Sequence, residues 1–356
     1  MTGLPLLERR TPGWVVLQLL EECNLRCSMC YEWGETGAYR DGRKVAELAL
    51  PVALRVIDEC LPTRPRFELF GGEPLLYDGI WEVISRIHGG GCDLAFPTNG
   101  TLLATHAERL VACPPSLVWI SLDGPPAVND AQRGNGVFKR ALAGIAAVAA
   151  EKERRGSACP ALGVTCVVTP ANWEHIAELF LETLDLSQLS QVSIELQSFV
   201  TEAQHRAHVR RLRERFGVVS APYARAYVRD ASLFASMDRV RIVDQLVRIR
   251  QECLTRGVRF FSQPRTLDAA NIDAYLDGRW EAMTDRRERC AVPWLCAEVS
   301  ARGEVTTCHT FYDVSAGNVN ERSLLDIWRG EALGRWRDEL RGGLLPICTA
   351  CCRYYQ

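Results

Sequence analysis

The 356-residue sequence contains no run of about 18 apolar residues, so it offers no helix that could span a membrane. Neither charge is in excess. The 42 Lys and Arg residues face 44 Asp and Glu, a formal net charge of −2, which gives no reason to expect nucleic acid or an anionic membrane as partner. There is no internal repeat and no low-complexity linker. A targeting segment is missing too: Arg9-Arg10 precede an apolar run, but that run covers only Trp14 to Leu20 and is closed by Glu21-Glu22. These absences suggest a reducing cytoplasm, where clustered cysteines more often bind metal than form disulfides.

Cysteine is plentiful, with 15 in the chain, and its placement is uneven. Cys23, Cys27 and Cys30 crowd the start, and Cys290, Cys296, Cys308, Cys348, Cys351 and Cys352 crowd the end. Cys60, Cys92, Cys113, Cys159, Cys166 and Cys253 lie in apolar surroundings and read as small core hydrophobes. The stretch "EECNLRCSMCYEWGETG" spaces its thiols C-x3-C-x2-C directly after an apolar strand. A disulfide framework wants an even number and a structural zinc site wants four ligands. Three thiolates indicate a metal centre with one position open, and a partial zinc site is the alternative.

Short β-like runs alternate with helix-length segments. Strands are expected at 14–20, 161–169 and 191–198, strand then turn at 66–72 and 92–100, a strand ending in a polar loop at 116–124, and helices at 51–61, 79–88, 104–112, 137–155 and 173–183. This alternation predicts βαβ units and a parallel sheet, and six units are too few for a closed eight-unit barrel. Chemistry in such folds gathers at the C-terminal strand ends, where "GGEP", "PTNG" and "SLDG" stand. Residues 200–285 read as a helical, arginine-rich insertion whose charges form either a patch for an anionic group or a solvated face. Residues 286–356 are cysteine-dense, with a hairpin over 296–308 and one helix over 323–341.

Together these motifs resemble the radical S-adenosylmethionine (AdoMet) superfamily. The resemblance covers nearly the whole chain. It implies an α/β fold, a partial (β/α)6 barrel over residues 1–199, and a [4Fe–4S] cluster on Cys23, Cys27 and Cys30 whose free iron binds AdoMet. It further implies that Gly71, Gly72, Glu73 and Pro74 serve the AdoMet ammonium, with Thr98 and Asn99 in the next loop. Ser121 and Asp123 are expected near the ribose or carboxylate, Arg133 near the carboxylate, Tyr31 by the adenine, and Val168 at the end of the fifth strand as a further contact.

The final segment, "CAVPW", "ARGEVTTC", "GNVNERSLLDIW" and "PICTAC", resembles the SPASM/twitch extension of that superfamily. The shorter twitch form implies one auxiliary [4Fe–4S] cluster, on Cys290, Cys308, Cys348 and Cys351. A zinc ribbon on those four cysteines is the alternative. Cys296 and Cys352 are left over. They are either core thiols or, for Cys352 in particular, a hydrogen-atom donor.

The resemblance implies an enzyme that forms a 5′-deoxyadenosyl radical, takes a hydrogen atom from a C–H bond and exchanges electrons with a flavodoxin- or ferredoxin-type reductant. Dehydrogenation or epimerisation of a small polar natural-product intermediate is expected. Modification of a ribosomally made peptide is the alternative; with thirteen residues before Trp14 no fused peptide-recognition domain is expected, and a separate recognition protein would supply that role. Glu195 and Gln197 alternate on the sixth strand as candidate catalytic residues, and His309 and Tyr312 follow Cys308. The reading from another class is a zinc-stabilised binding protein.

Overall fold

A computed structural model describes residues 9–40, 42 and 44–351. Cys352 lies outside the described residues. Seven parallel strands follow chain order across one sheet: β1 (Trp14–Leu20), β2 (Arg66–Gly71), β3 (Leu94–Thr98), β4 (Leu117–Ser121), β5 (Ala161–Val168), β6 (Gln191–Leu196) and β7 (Arg259–Gln263). On the free side of β1, β8 (Cys296–Val299) pairs in parallel, and β9 (Glu304–Thr306) and β10 (Ser315–Asn318) continue antiparallel. The cysteine-dense C-terminal segment is thus joined by backbone hydrogen bonds to the first strand of the α/β unit.

Helices α1 (Leu50–Cys60), α2 (Ile80–Gly89), α3 (Leu103–Ala112), α4 (Pro126–Arg133) and α5 (Val137–Arg155) connect the early strands. Pro51 opens α1, where a missing N–H costs nothing, and Gly156 closes α5 with φ 63°. The side chains alternate along each strand. Phe67, Leu69, Phe96, Val118, Ile120, Val164, Val192 and Ile194 are essentially inaccessible and belong to the main core. Their alternates face the other way and mix polar side chains such as Glu68, Ser121, Thr165 and Glu195 with apolar ones such as Phe70, Pro97, Trp119 and Val167. A parallel sheet covered on both faces reads as continuous apolar runs; this alternation marks a face that borders a chamber.

The structure departs from the expected elements in four places. The segment read as helical contributes a strand, β7, a five-residue run among arginine-rich helices that pairs with β6. The helix expected at 173–183 is a 3₁₀ turn, one α turn and a wide π turn at Leu179–Thr183, closed by Leu184 N–H onto the Leu179 carbonyl at 3.0 Å. The single helix expected at 323–341 breaks at Gly330 into Leu324–Trp328 and Glu331–Arg341, and Arg337 donates to the carbonyl of Trp328 at the break. Finally, Cys159 is exposed, whereas Cys60, Cys166 and Cys253 are buried as core thiols and Cys92 and Cys113 pack at the core's edge.

The arginines of the helix Glu202–Phe216 belong to a solvated face. Arg211 and Arg215 both pair with Glu339, and Arg206 pairs with Glu202.

Candidate active site

The loop after β1 presents its three thiols in a small space. Burial first, then the carboxylate of Glu73 and the other two thiols, push the Cys23 thiol up, and burial, the Glu32 carboxylate and Cys27 do the same to Cys30. Burial is the larger cause, raising Cys23 to about 12 and Cys30 to about 11. Backbone N–H groups point at the sulfurs: Leu25 donates to Cys23 Sγ at 3.4 Å, and Glu32 and Trp33 donate to Cys30 Sγ at 3.4 and 3.3 Å. Such donors stabilise thiolate, and a metal that displaces the protons gains their interaction. The loop is anchored by Ser28 N–H on the carbonyl of Gln132 at 2.9 Å and by Trp33 Nε1 on the carbonyl of Glu21 at 2.7 Å.

Gly71 and Gly72 follow β2 and lie against the end of β1. A Cβ on Gly72 would stand 2.1 Å from the carbonyl oxygen of Glu22, and one on Gly71 2.6 Å from that of Leu20. Gly71 also has φ 150°. The close approach that requires these glycines is to the chain's own backbone at the base of the cysteine loop. Pro74 then starts a short turn and lines the chamber.

Glu73 is fully buried. Its Oε1 accepts from Leu75 N–H at 3.2 Å and from the Thr98 hydroxyl at 2.8 Å, and its Oε2 accepts Asn99 N–H at 2.8 Å. Burial raises it to about 7 against those three donors. Asn99 Nδ2 donates to Asn24 Oδ1 at 2.8 Å, which ties this loop to the cysteine loop. Gly71, Gly72, Glu73, Thr98, Asn99 and the thiols therefore form one connected scaffold.

Asp123 is 1% exposed. Its Oδ1 accepts Val167 N–H at 2.8 Å and its Oδ2 accepts Arg133 Nε at 2.5 Å. Desolvation would lower Arg133, but Asp123 and the neighbouring Cys27 sulfur more than offset it and hold the guanidinium charged. Ser121 and Arg133 border the chamber; Val168 is buried and its carbonyl accepts Gln197 N–H at 2.9 Å. Tyr31 stacks on Tyr227 with ring centroids 3.7 Å apart, and its hydroxyl donates to the carbonyl of Ser198 at 2.5 Å.

The chamber has a volume of about 1170 Å³ and runs from the cysteine loop along the inner face of β2 to β7. On β6 the alternation brings Gln191, Ser193 and Glu195 to it. Gln197 lies past the end of β6, buried and not among the residues that line the chamber, because the strand's period of two stops at Leu196. Gln263, at the end of β7, also borders the chamber. Its only sequence signal was a strand disguised inside an arginine-rich segment.

A second cavity, of about 360 Å³, is lined by Cys290, Cys308, Cys348 and Cys351 among apolar side chains that include Val292, Pro293, Phe311, Trp336 and Ile347. Burial pushes Cys348 up to about 12 and Cys308 higher still, and both are raised further by neighbouring thiols of the group. Phe311 and Thr310 N–H groups point at Cys308, and the Thr310 hydroxyl lies 3.0 Å from Cys351 Sγ. Four thiols lining one cavity, with backbone donors aimed at sulfur, fit a closed thiolate-ligated cluster. Cys296 does not line this cavity. It sits on β8 with its sulfur near Glu298 and His309. Glu298, 3% exposed, accepts from His309 Nδ1 at 2.5 Å and from the Tyr312 hydroxyl, and all three border the large chamber. His309 borders both cavities.

Comparisons with known proteins agree with this arrangement. A family model of the radical SAM superfamily matches residues 17–182, and one of the SPASM iron–sulfur cluster-binding domain matches residues 290–352. The tungsten-containing aldehyde ferredoxin oxidoreductase cofactor-modifying protein of Pyrococcus furiosus is 25% identical over 95% of this chain and 86% of its own. The AdoMet-dependent heme synthase of Methanosarcina barkeri is 27% identical over 96% of this chain and 91% of its own. Among solved structures, Streptococcus suis SuiB bound to S-adenosylmethionine superposes with a TM-score of 0.61 at 15% identity, covering 91% of this chain and 67% of that one. Native anSMEcpe with bound AdoMet gives 0.61 at 15% identity, covering 96% and 93%. At these identities the two structures share the fold.

Proposed function

Because the chain belongs to the radical S-adenosylmethionine superfamily, in its SPASM/twitch subgroup, we propose that it removes a hydrogen atom from a C–H bond of a small polar molecule held in the chamber. The cofactors of these two domains are a [4Fe–4S] cluster with AdoMet and an auxiliary iron–sulfur cluster. Together they supply a 5′-deoxyadenosyl radical and a route for the electron. In this reading Cys23, Cys27 and Cys30 hold the first cluster, and Cys290, Cys308, Cys348 and Cys351 hold the second, a [4Fe–4S] cube.

This chain's own residues bind, orient and exclude water. Asp123 fixes the Arg133 guanidinium beside Cys27, where its planar fork suits the AdoMet carboxylate. Tyr31, Gly71, Gly72, Pro74, Thr98, Asn99, Ser121 and Val168 complete the AdoMet side, and Glu73 shapes it from behind. Glu195 faces the substrate, Gln197 supports the end of β6, and Cys352 is the candidate hydrogen donor for an epimerase. Residues 1–199 carry the radical chemistry, 200–285 enclose the substrate and 286–356 carry the auxiliary cluster. A flavodoxin- or ferredoxin-type protein supplies electrons in a reducing cytoplasm.

The observation that carries the substrate class is the chamber's inner wall. Glu68, Thr165, Gln191, Ser193 and Glu195 present polar groups along the strands below the cysteine loop, on a wall that also carries Phe70, Pro97, Trp119 and Val167, a mixed lining suited to a compact molecule with several polar groups. Two relatives that cover nearly the whole chain are named for cofactor modification and for heme synthesis, which supports a small-molecule substrate. Anaerobic turnover with AdoMet and reductant in deuterated buffer tests the proposal across polar candidates. Solvent deuterium in the product indicates epimerisation, and oxidised product without it indicates dehydrogenation. Turnover confined to peptides overturns the small-molecule reading.

A further inference from the structure

Gln263 is the last residue of β7 and is 3% exposed. Neither its amide oxygen nor its amide nitrogen has a hydrogen-bond partner. Among the described residues it is the one side chain with both a buried acceptor and a buried donor lacking a partner. Native proteins rarely leave such groups unpaired, and each one calls for an explanation. A partner that binds only in the working enzyme is one such explanation.

The sheet register shows where the side chain is aimed. β6 and β7 pair Gln191 with Arg259, Ser193 with Phe261 and Glu195 with Gln263. Residues paired across a parallel ladder share a face, and adjacent strands lie about 4.8 Å apart. Gln191, Ser193 and Glu195 all line the chamber, and so does Gln263. Gln263 and Glu195 thus stand side by side at the C-terminal strand ends, the same end of the sheet as the cysteine loop.

We propose that Gln263 recognises an amide-type group of the substrate, one that presents an N–H donor and a C=O acceptor next to each other, as a lactam, an imide or a primary amide does. A carboxamide carries the complementary pair: its oxygen accepts and its NH₂ donates. A two-point match satisfies both orphaned atoms at once. A group with only an acceptor leaves the Gln263 oxygen unpaired and is discriminated against for that reason. The neighbouring carboxylate of Glu195 favours a further N–H or O–H donor on the same molecule. This inference rests on the reading of the chamber as the substrate site, and it narrows the substrate to amide-containing compounds.

The test uses the anaerobic holoenzyme with AdoMet and two unreactive probes of the same ring size. One is 2-pyrrolidone, which has adjacent N–H and C=O groups; the other is cyclopentanone, which has the C=O alone. Thermal unfolding is followed at probe concentrations on the order of 10 mM, suited to fragments of this size. The lactam is expected to raise the midpoint of the wild type and the ketone is not. In Gln263→Met, which keeps the length and removes both polar groups, the apparent Kd for the lactam should weaken about tenfold or more. Without probe, Gln263→Met should unfold no lower than the wild type, since an amide with no partner loses nothing on removal. Equal lactam stabilisation of wild type and variant overturns the inference. So does a lowered midpoint in both Gln263→Met and Gln263→Leu without probe, which would mark the amide as a satisfied part of the core. The probes report binding alone, so a failure of catalytic turnover on every small polar candidate counts against the proposed reaction and not against this recognition.

Discussion

Glu73 at the end of β2 accepts the backbone N–H of Asn99 at the end of β3, at 2.8 Å. With the Thr98 hydroxyl on its other oxygen and Asn99 in turn bonded to Asn24, this buried carboxylate links three strand-end loops into one frame. The frame ties the cysteine loop to the loops after β2 and β3. Glu73 thereby gains a positioning role that its sequence motif alone does not reveal.

Replacing Cys23, Cys27 and Cys30 together by alanine should remove about four irons per chain, the content of one cube. Formation of 5′-deoxyadenosine should vanish while the auxiliary cluster stays. Iron analysis and product chromatography check this; continued AdoMet cleavage in the triple variant sinks the assignment.

Gly72→Ala places a Cβ 2.1 Å from the carbonyl oxygen of Glu22, a backbone atom that cannot swing aside. The expected cost is about 2 kcal/mol or more, together with a drop in iron at the first site because the cysteine loop is pushed from its frame. Denaturant midpoint and iron content measure the two effects. An unchanged midpoint shows that the loop yields freely.

Arg133→Lys keeps the charge but loses the planar fork. AdoMet affinity should fall at least about tenfold with stability little changed. Arg133→Met leaves Asp123 buried and unpaired, and should cost roughly 3 kcal/mol. Calorimetric AdoMet titration and unfolding curves separate the two. Unchanged AdoMet affinity in the lysine variant reduces Arg133 to a structural partner of Asp123.

Cys351→Ala should lose the auxiliary cluster and Cys296→Ala should retain it, because Cys351 lines the second cavity and Cys296 stands outside it on β8. Iron content per chain decides between them. Loss of the cluster in Cys296→Ala shows that another set of four is used.

Asp313 accepts the N–H groups of Tyr223 and Ala224, yet burial raises it to about 6. A carboxyl raised in the folded state gives its stabilisation below the unfolded pKa, and loses it as pH rises through the folded value. Stability should therefore fall between about pH 4 and pH 6, by at most roughly 3 kcal/mol before solvent screening of this partly exposed group reduces it. Asp313→Asn should flatten that slope in unfolding midpoints taken across the range. An identical slope in the variant assigns the effect to other groups.

The sequence by itself determined the parallel α/β class, the six leading strands within about three residues, the family and its two iron–sulfur domains. These follow from local signals: apolar period, glycine and proline punctuation, and thiols spaced a few residues apart. Local spacing is sufficient there because one loop supplies all three ligands of the first site. Tertiary structure decided what depends on packing between distant segments. β7 becomes a strand because β6 offers an open edge; its Phe260-Phe261 pair suits a strand, but the run is short and lies among arginine-rich helices. Glu195 faces the chamber and Gln197 does not, because pleating ends at Leu196. Glu73 turns inward to three donors that lie up to 26 positions away. Gln263 acquires its significance only when the 67 intervening residues fold back to set it beside Glu195 on the chamber wall, where its buried amide finds no partner in the protein.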